Sequence, residues 1–257
     1  MREALRRATV FLGYAVRSTE GQAVESIRLR STIQLAVGVP DPILSAEQVY
    51  YQQEFRNWAI GQGLTELDQC YQRFVVSAME TKADLVELVE HRKLKERHKP
   101  NLANTWSVHQ QFYSSVGQKS ARHEEEASCL RSLGNARNCL AHESGLVSSL
   151  RQRDDGTMPV RWRGRDIVQT LTNGERRRLP RDQELRVQND DVGTSLTVEE
   201  VIREHIYREK DRVVFSATDL SEIIFFYQEL AMQVGAELHR FAESTPLFAG
   251  WRLRSAS

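Results

Sequence analysis

The stretch from Ser120 to Gly145 limits the possible folds most, because it predicts one long amphipathic helix with a defined end. At about 100° per residue on a helical wheel, three apolar side chains fall within about 40° of Cys129 and form a stripe of four with it. These four are Cys129, Leu133, Ala136 and Leu140. Glycine is typical just beyond a helix C-terminus, so we expect the helix to run from Ser120 to Glu143 and to stop at Gly145. The sequence predicts that this narrow apolar stripe faces the core.

The opposite face of this predicted helix is polar and carries the candidate chemistry. Its members are Glu124, Ser128, Arg131, Asn135, Asn138 and His142, with Arg137 at the edge of the apolar stripe. Asn138 and His142 are four residues apart and share a face, where the amide can orient the imidazole. His142 lies in the last turn, where the helix dipole favours a protonated ring. Two interpretations stay open: an ordinary solvated helix face, or a face that meets a partner or a substrate.

Two other parts of the chain, one before this segment and one near the C-terminus, are also predicted to be helical. From Ser45 the chain lacks proline as far as Lys95, and Gly61 and Gly63 predict a break into two helices, at 46–61 and 64–95. Residues 96–117 are interpreted as a polar connection. The last predicted helix spans 219–243, is capped by Thr218 and is strongly apolar. Before residue 45, residues 9–17 fit a helix or a strand, and residues 27–37 alternate as a strand does.

The character of the chain changes after the polar helix. Residues 146–186 contain ten arginines against six acidic residues, with turn signals on either side of a strand predicted at 160–171. Thr197 and Glu200 fit a capping box, which predicts a short helix to about Lys210. The fold class expected is mainly α, a helical bundle with a small β insertion. The expected divisions are an N-terminal segment at 1–44, a helical core at 45–145, a basic insertion at 146–215, and a final helix and tail at 216–257.

Composition excludes some classes of protein. The 35 basic and 35 acidic residues cancel, which argues against a bulk electrostatic nucleic-acid binder but permits a local basic cleft. The three cysteines, Cys70, Cys129 and Cys139, have no zinc-site spacing, so we expect reduced thiols, no metal and no cofactor. The chain has no run of about 18 apolar residues, and its arginine-containing start lacks a clear cleavage site. The expected location is cytoplasmic, with no membrane partner.

The sequence Arg137-Asn138-Cys139-Leu140-Ala141-His142 resembles the motif of the HEPN superfamily, in which a polar residue follows the arginine and the histidine comes five positions after it. The resemblance covers residues 46–145 and 218–243. It implies an α-helical bundle that forms a homodimer. Many members are metal-independent endoribonucleases of toxin–antitoxin, CRISPR-linked and antiphage systems. Ser144 stands where one subgroup of HEPN toxins carries a tyrosine two residues after the histidine, which puts control through that tyrosine in doubt.

By this resemblance Arg137 and His142 are catalytic, and Asn138 is the polar residue that assists them. Arginine binds phosphate and histidine moves protons near neutral pH, which are the two tasks of RNA cleavage without a metal. The expected partners are therefore an RNA substrate, a second copy of the chain, and an antitoxin or defence-system protein. Further RNA contacts are expected from the polar face and from the basic insertion, where an exposed indole could stack on a base. These candidates are Arg131, Asn135, Arg151, Arg153 and Trp162, together with Arg161, Arg163 and Arg165.

Two other functions remain open at this point. A non-catalytic HEPN-like module would use the same polar face for dimerisation, RNA binding or ligand sensing. An unrelated helical regulator would leave Arg137 and His142 as surface residues away from any cleft. The insertion has its own alternative, in which Trp162 packs against the bundle and the arginines are solvated strand positions.

Overall fold

The computed structural model describes most of the chain but not all of it. The described residues are 5–10, 12–13, 45–90, 104–118, 120–181 and 195–245. Residues 5–10 and 12–13 are helical, in agreement with one of the two expectations for the N-terminal segment. The strand predicted at 27–37 lies outside the described residues, as do the last part of the helix predicted at 64–95 and the tail after 245.

In the described ranges, four α-helices and a small antiparallel sheet follow the N-terminal segment, with a short 3-10 helix at Ser149–Arg151 before the sheet. The helices are α1 (Ser45–Glu90), α2 (Thr105–Ser115), α3 (Ala121–His142) and α4 (Ala217–Ser244). The strands are β1 (Thr157–Thr170), β2 (Arg176–Arg178) and β3 (Ser195–Arg208). The expectation of a mainly α fold with a small β insertion is confirmed at this level. None of the helices in the described ranges has the length and apolarity needed to cross a membrane.

α1 is one continuous helix, so the predicted break at Gly61 and Gly63 is wrong. Both glycines are buried, and each permits a close approach by another segment. A Cβ atom at Gly61 would lie 2.9 Å from the backbone nitrogen of Ala141 in α3. A Cβ atom at Gly63 would lie 2.3 Å from a methyl carbon of Leu12. The glycines therefore serve helix packing, and the helix tolerates their modest cost in helix propensity.

α2 occupies much of the region that the sequence predicts as a polar connection, so that prediction is also wrong. Asn104 caps its N-terminus by accepting a hydrogen bond from the backbone of Ser107. Val108 and Phe112, one turn apart, are fully buried in the core. His109 is equally buried, and it is paired with polar groups of neighbouring helices. The polar composition hid a helix because part of its buried face is made of such paired side chains.

The sheet has the order β2-β1-β3. β1 pairs with β3 over their whole length, from Thr157 opposite Arg208 to Thr170 opposite Ser195. The predicted strand at 160–171 is confirmed, with its start three residues earlier. The short helix predicted from Thr197 is wrong, because that segment is β3. From residue 199 to residue 208 its side chains alternate between partly buried and exposed, which is the period of a strand and not of a helix.

Helix α3 covers the edge of β1 that β3 leaves open near Arg161. The Ser132 hydroxyl accepts a hydrogen bond from the Arg161 backbone nitrogen at 2.8 Å and donates to its carbonyl oxygen at 3.2 Å. Met158 and Val160 of β1 are fully buried within the same core as the helices. The sheet is therefore built into the bundle, and α3 supplies both the cover for its edge and part of the polar face described below.

The predicted ends and core faces of α3 and α4 agree well with the structure. Ser120 caps α3, and the four residues of its apolar stripe are buried. α4 begins with a capping box between Ser216 and Asp219, two residues before the predicted cap at Thr218. The apolar character predicted for this helix is reflected in its burial: Ile223, Phe226, Leu230 and Val234 are fully buried, and Ile224 and Leu238 are partly buried.

Candidate functional site

A polar groove of about 450 Å³ opens between α1, the start of α2 and α3. This volume lies within the range of small-molecule binding sites. Its lining is formed by Asp68, Gln69, Gln72, Asn104, Thr105, Trp106, Leu130, Arg131, Gly134, Asn135, Arg137 and Asn138. Two arginines and one aspartate are the charged residues of this lining, so its formal charge is positive when the aspartate is ionised. The groove therefore suits an anionic ligand.

Arg137 is held in the groove by an ion pair and by its sequence neighbour. Its Nη1 donates to Oδ2 of Asp68 at 2.5 Å, while Nε and Nη2 donate to Oδ1 of Asn138 at 3.2 and 3.0 Å. About a quarter of the Arg137 side chain is exposed. These bonds use one hydrogen of each guanidinium nitrogen. Within the part of the chain that is described, a second hydrogen on Nη1 and on Nη2 remains available for a phosphate oxygen.

Asp68 is nearly buried and is itself fixed by α4. Tyr227 donates its hydroxyl to Oδ1 of Asp68 at 3.1 Å, and Thr105 at the start of α2 also hydrogen-bonds to the carboxyl group. Burial raises the pKa of Asp68 above its ordinary value, although Arg137, Thr105 and Tyr227 each act to lower it. Asp68 thus connects α1, α2, α3 and α4 at the base of Arg137, and the arginine projects from a rigid support.

The structure places Asn138 differently from the expectation that its amide orients His142. Its side-chain oxygen accepts two hydrogen bonds from Arg137. The amide is therefore engaged mainly with the arginine next to it, because their side chains meet at the edge of the groove. Cys139, which follows, faces the core with its Sγ 3.8 Å from Sδ of Met158, and burial raises the pKa of its thiol to about 11. The described cysteines are all free thiols, as expected.

His142 is the last residue of α3 and is exposed to solvent. It does not belong to the groove lining, so one protomer does not bring it together with Arg137 inside the cavity. The chain turns sharply after it, because Ser144 and Gly145 both have left-handed backbone angles, with φ of 52° and 76°. The Gly145 nitrogen donates to the Cys139 carbonyl at 2.8 Å, which confirms Gly145 as the end of the helix. The imidazole is therefore presented outward at a fixed helix terminus.

Two further residues of the predicted RNA-binding set, Arg131 and Asn135, do lie in the groove. Asn135 is half-buried and Arg131 is exposed. The guanidinium carbon of Arg131 sits 5.5 Å from the ring centroid of Trp106, in a cation–π contact. The structure therefore brings four of the predicted site residues to one cavity, namely Arg131, Asn135, Arg137 and Asn138.

The expectation that Trp162 stacks on a base is corrected by the structure. Its side chain is completely buried, and its Nε1 donates to Oε2 of Glu222 in α4 at 3.0 Å. Its ring packs edge-on against His205 and Phe215. An indole in this position has no face for a nucleobase, and it stabilises the sheet against the bundle instead.

The arginines of the insertion are mostly engaged in ion pairs. Arg151 pairs with Glu143 at 3.1 Å, next to His142, while Arg153 is exposed. Three further arginines were expected to position the substrate, namely Arg161, Arg163 and Arg165. Their side chains instead form ion pairs with carboxylates of β3 and of the helices. These pairs are Arg161 with Glu204, Arg163 with Glu125 and Glu126, and Arg165 with Glu229. The local excess of arginine is thus largely neutralised in three dimensions, which corrects the expectation of a basic substrate surface there.

Sequence reasoning missed three groups of groove residues. Asp68 is buried between the core residues Leu67 and Tyr71 of α1, and a lone acid among core positions is a signal of a buried ion pair. Trp106 falls in the segment that was predicted to be a connection. Gln69 and Gln72 of α1 also line the cavity. No protein-family model, curated protein or solved structure matches this chain.

Proposed function

We propose that this protein is a metal-independent endoribonuclease of the HEPN type, in which Arg137 binds the scissile phosphate and His142 transfers protons. The defence or toxin role that accompanies many HEPN nucleases is part of the proposal, as is its antitoxin or defence-system partner. The observation that carries it is the Arg137 guanidinium, which a buried carboxylate holds at the edge of a polar groove with two hydrogens directed to no described side chain.

Cleavage needs the chemistry that these groups supply. A histidine takes the proton from the ribose 2′-hydroxyl, whose oxygen then attacks the adjacent phosphorus. The bond from phosphorus to the 5′-oxygen breaks, and that oxygen takes up a proton from a second acid. Arg137 stabilises the negative charge on the phosphorane oxygens. The products are a 2′,3′-cyclic phosphate and a 5′-hydroxyl.

A homodimer supplies the second proton carrier. One imidazole cannot easily serve both oxygens in a single geometry, since they lie on opposite sides of the phosphorus. His142 is exposed at a helix end and lies outside the groove of its own protomer, which supports a composite site between two copies. His142 of one copy then acts as base and His142 of the other as acid.

The proposal is tested with purified wild type, Arg137→Ala and His142→Ala, incubated with total tRNA and single-stranded RNA in EDTA. His239→Ala is the matched control, because His239 is an exposed histidine on α4, far along the chain from the motif. We expect wild type and control to leave cyclic phosphate ends, and His142→Ala to lose roughly 10²–10⁴-fold in rate. Cleavage unchanged by His142→Ala, or ends bearing a 3′-hydroxyl, would overturn the mechanism.

One observation favours a second candidate function, a non-catalytic HEPN-like module that binds RNA. Arg137 already has a carboxylate partner, and His142 does not line the groove. If wild type binds RNA and leaves it intact under every condition, the same polar face serves binding alone. RNA affinity measured on wild type and on Arg137→Ala separates this outcome from an absence of any RNA contact.

A further inference from the structure

Trp106 and Arg131 form a cation–π pair at the rim of the groove. Trp106 belongs to the first turn of α2, Arg131 to the middle of α3, and both line the cavity. The guanidinium carbon lies 5.5 Å from the centre of the indole. Trp106 is only partly buried and Arg131 is exposed, so both side chains are accessible to a ligand in the groove.

Arg131 differs from the other arginines nearby in the partner of its charged group. Arg137 pairs with Asp68, and the arginines of β1 pair with acidic side chains. In the described part of the chain, the contact seen for Arg131 is with an aromatic ring and not with a carboxylate. Its positive charge is therefore not neutralised by a described carboxylate, and its guanidinium carbon lies over the indole ring.

We propose that Trp106 and Arg131 form a stacking platform for one unpaired nucleobase of single-stranded RNA, beside the phosphate that Arg137 binds. The indole, the guanidinium and the base would form one column, with the base on the outer face of Arg131. Stacking of unpaired bases on aromatic rings and on guanidinium planes is a general mode of single-strand recognition.

The position of the platform relative to Arg137 supports this assignment. Arg131 and Arg137 lie six residues apart on α3, about 9 Å along the helix axis at 1.5 Å per residue. Asn135 and Gly134 lie between them in the same cavity. A Cβ atom at Gly134 would have no neighbour within 4 Å, so the lining is open at this point and leaves room for a sugar or a base. The platform therefore selects a single-stranded segment, because a paired base cannot leave its partner to stack there without an added cost.

The proposal rests on the proposed function for its substrate class, so its test measures binding and not cleavage. A fluorescently labelled single-stranded RNA is titrated into full-length His142→Ala protein, and each base in turn is replaced by an abasic site. The same series is then measured on Trp106→Leu in the His142→Ala background. Leucine retains apolar packing against the core while removing the ring. Trp58→Leu is the matched control, since Trp58 is a half-exposed tryptophan on α1 that does not line the groove.

We expect Trp106→Leu to raise the dissociation constant roughly 5- to 150-fold and Trp58→Leu to leave it unchanged. One abasic position should weaken binding to the His142→Ala protein by a similar factor, and the same abasic RNA should lose little further affinity on Trp106→Leu. Arg131→Lys retains the charge but not the plane, and should show a partial loss. Effects of the abasic site and of Trp106→Leu that do not add indicate a direct stack between base and ring, and a purely structural role of the ring would not produce them.

Each outcome is distinct from failure of the proposed function. If wild type does not cleave RNA but the abasic effect depends on Trp106, the platform stands and the nuclease proposal fails. If wild type cleaves but the abasic effects are equal in both proteins, the platform is overturned and the nuclease remains. RNA that does not bind at all also overturns the platform. Circular dichroism of Trp106→Leu establishes that the variant is folded.

Discussion

Arg137 of α3 and Asp68 of α1 are joined by an ion pair of 2.5 Å whose aspartate is nearly buried and whose arginine is partly exposed. The asymmetry gives the two residues different tasks. Asp68 is fixed by Tyr227 of α4 and by Thr105 of α2, so it serves as the anchor. Arg137 is the partly exposed, ligand-facing member. A guanidinium anchored by Asp68 and Asn138 keeps its direction and loses little conformational entropy when a phosphate binds.

Asp68→Asn is the first variant that follows from this relationship. Asparagine preserves the volume and can still accept from Tyr227, but it carries no charge to direct Arg137. We expect RNA cleavage to fall up to about 100-fold through misplacement of the guanidinium. Glu54→Gln is the matched control, because it removes the ion pair of another α1 acid, with Arg212, which does not line the groove. Equal cleavage by the two variants would contradict a positioning role for Asp68.

The same variant gives a prediction for stability. Burial raises the pKa of Asp68 in the folded state, so its ionisation opposes folding. This unfavourable contribution to the free energy of folding is absent below pH 3.8, the pKa in the unfolded chain. It develops as the pH rises from 3.8 to the higher pKa of the folded protein. Asp68→Asn does not ionise, so its free energy of unfolding should rise relative to wild type over that interval. Urea denaturation of both proteins on either side of it measures the change, and a relative loss for Asp68→Asn would contradict the prediction.

The sequence predicts helix α3 and the two groove residues Arg137 and Asn138 well, because both depend on local information. Helical periodicity identifies the buried stripe, and a glycine with positive φ marks the end at Gly145. Arg137 and Asn138 lie next to each other on that helix, so their presence in one groove follows from the helix alone. The resemblance to HEPN nucleases then assigns them a role that the structure leaves as a proposal.

The parts that the sequence predicts wrongly depend on contacts between distant segments. The segment from Thr197 carries a capping signal, but 14 residues paired with β1 decide in favour of a strand. Trp162 lies between two arginines in sequence, yet its side chain is buried and its N–H donates to Glu222 of α4. Trp106 gains its partner Arg131 only when α2 and α3 pack together. None of these partners is adjacent in the chain, so no local pattern contains them.

The two helical glycines Gly61 and Gly235 offer a matched pair for testing the packing argument. A Cβ atom at Gly61 would lie 2.9 Å from backbone of α3, whereas one at Gly235 would have no neighbour within 4 Å. Gly61→Ala should therefore lower the free energy of unfolding by about 1–3 kcal/mol through overpacking. Gly235→Ala should raise it by roughly 0.5–1 kcal/mol, the ordinary gain in a helix. Chemical denaturation distinguishes them by sign, and a gain at Gly61 would refute the close approach of α1 and α3.

Trp162→Phe tests the assignment of that residue to the core. The substitution removes the N–H that Glu222 accepts, although Arg203 and Arg181 still donate to that carboxylate. We expect a loss of about 1–2 kcal/mol in the free energy of unfolding. RNA affinity should stay within the error of wild type at a temperature where both proteins are folded. Weaker RNA binding by a fully folded Trp162→Phe would restore the sequence-based expectation.

A buried polar cluster centred on Glu126 joins the bundle to the sheet. Glu126 of α3 accepts from Arg163 of β1 at 2.8 Å and from Arg122 at 3.2 Å, and its other oxygen lies 3.6 Å from Nε2 of His109 in α2. His109 in turn is hydrogen-bonded to the Tyr71 hydroxyl of α1 at 2.7 Å. Burial alone would raise the pKa of Glu126, but His109 and Arg163 lower it to about 2.

This depressed pKa predicts how stability depends on acid. The carboxylate contributes its full stabilisation above the ordinary pKa of 4.5, and that contribution is lost as the pH falls from 4.5 to about 2. The difference between the ordinary and the folded pKa corresponds to about 3 kcal/mol in the free energy of unfolding. Glu126→Gln should be less stable than wild type at neutral pH, and the difference should shrink across that interval. The matched control is Glu200→Gln, which removes a half-exposed carboxylate 3.8 Å from the same Arg163 and should change stability by less than about 1 kcal/mol. A difference between Glu126→Gln and wild type that stays constant with pH would mean that Glu126 is not held ionised by its partners.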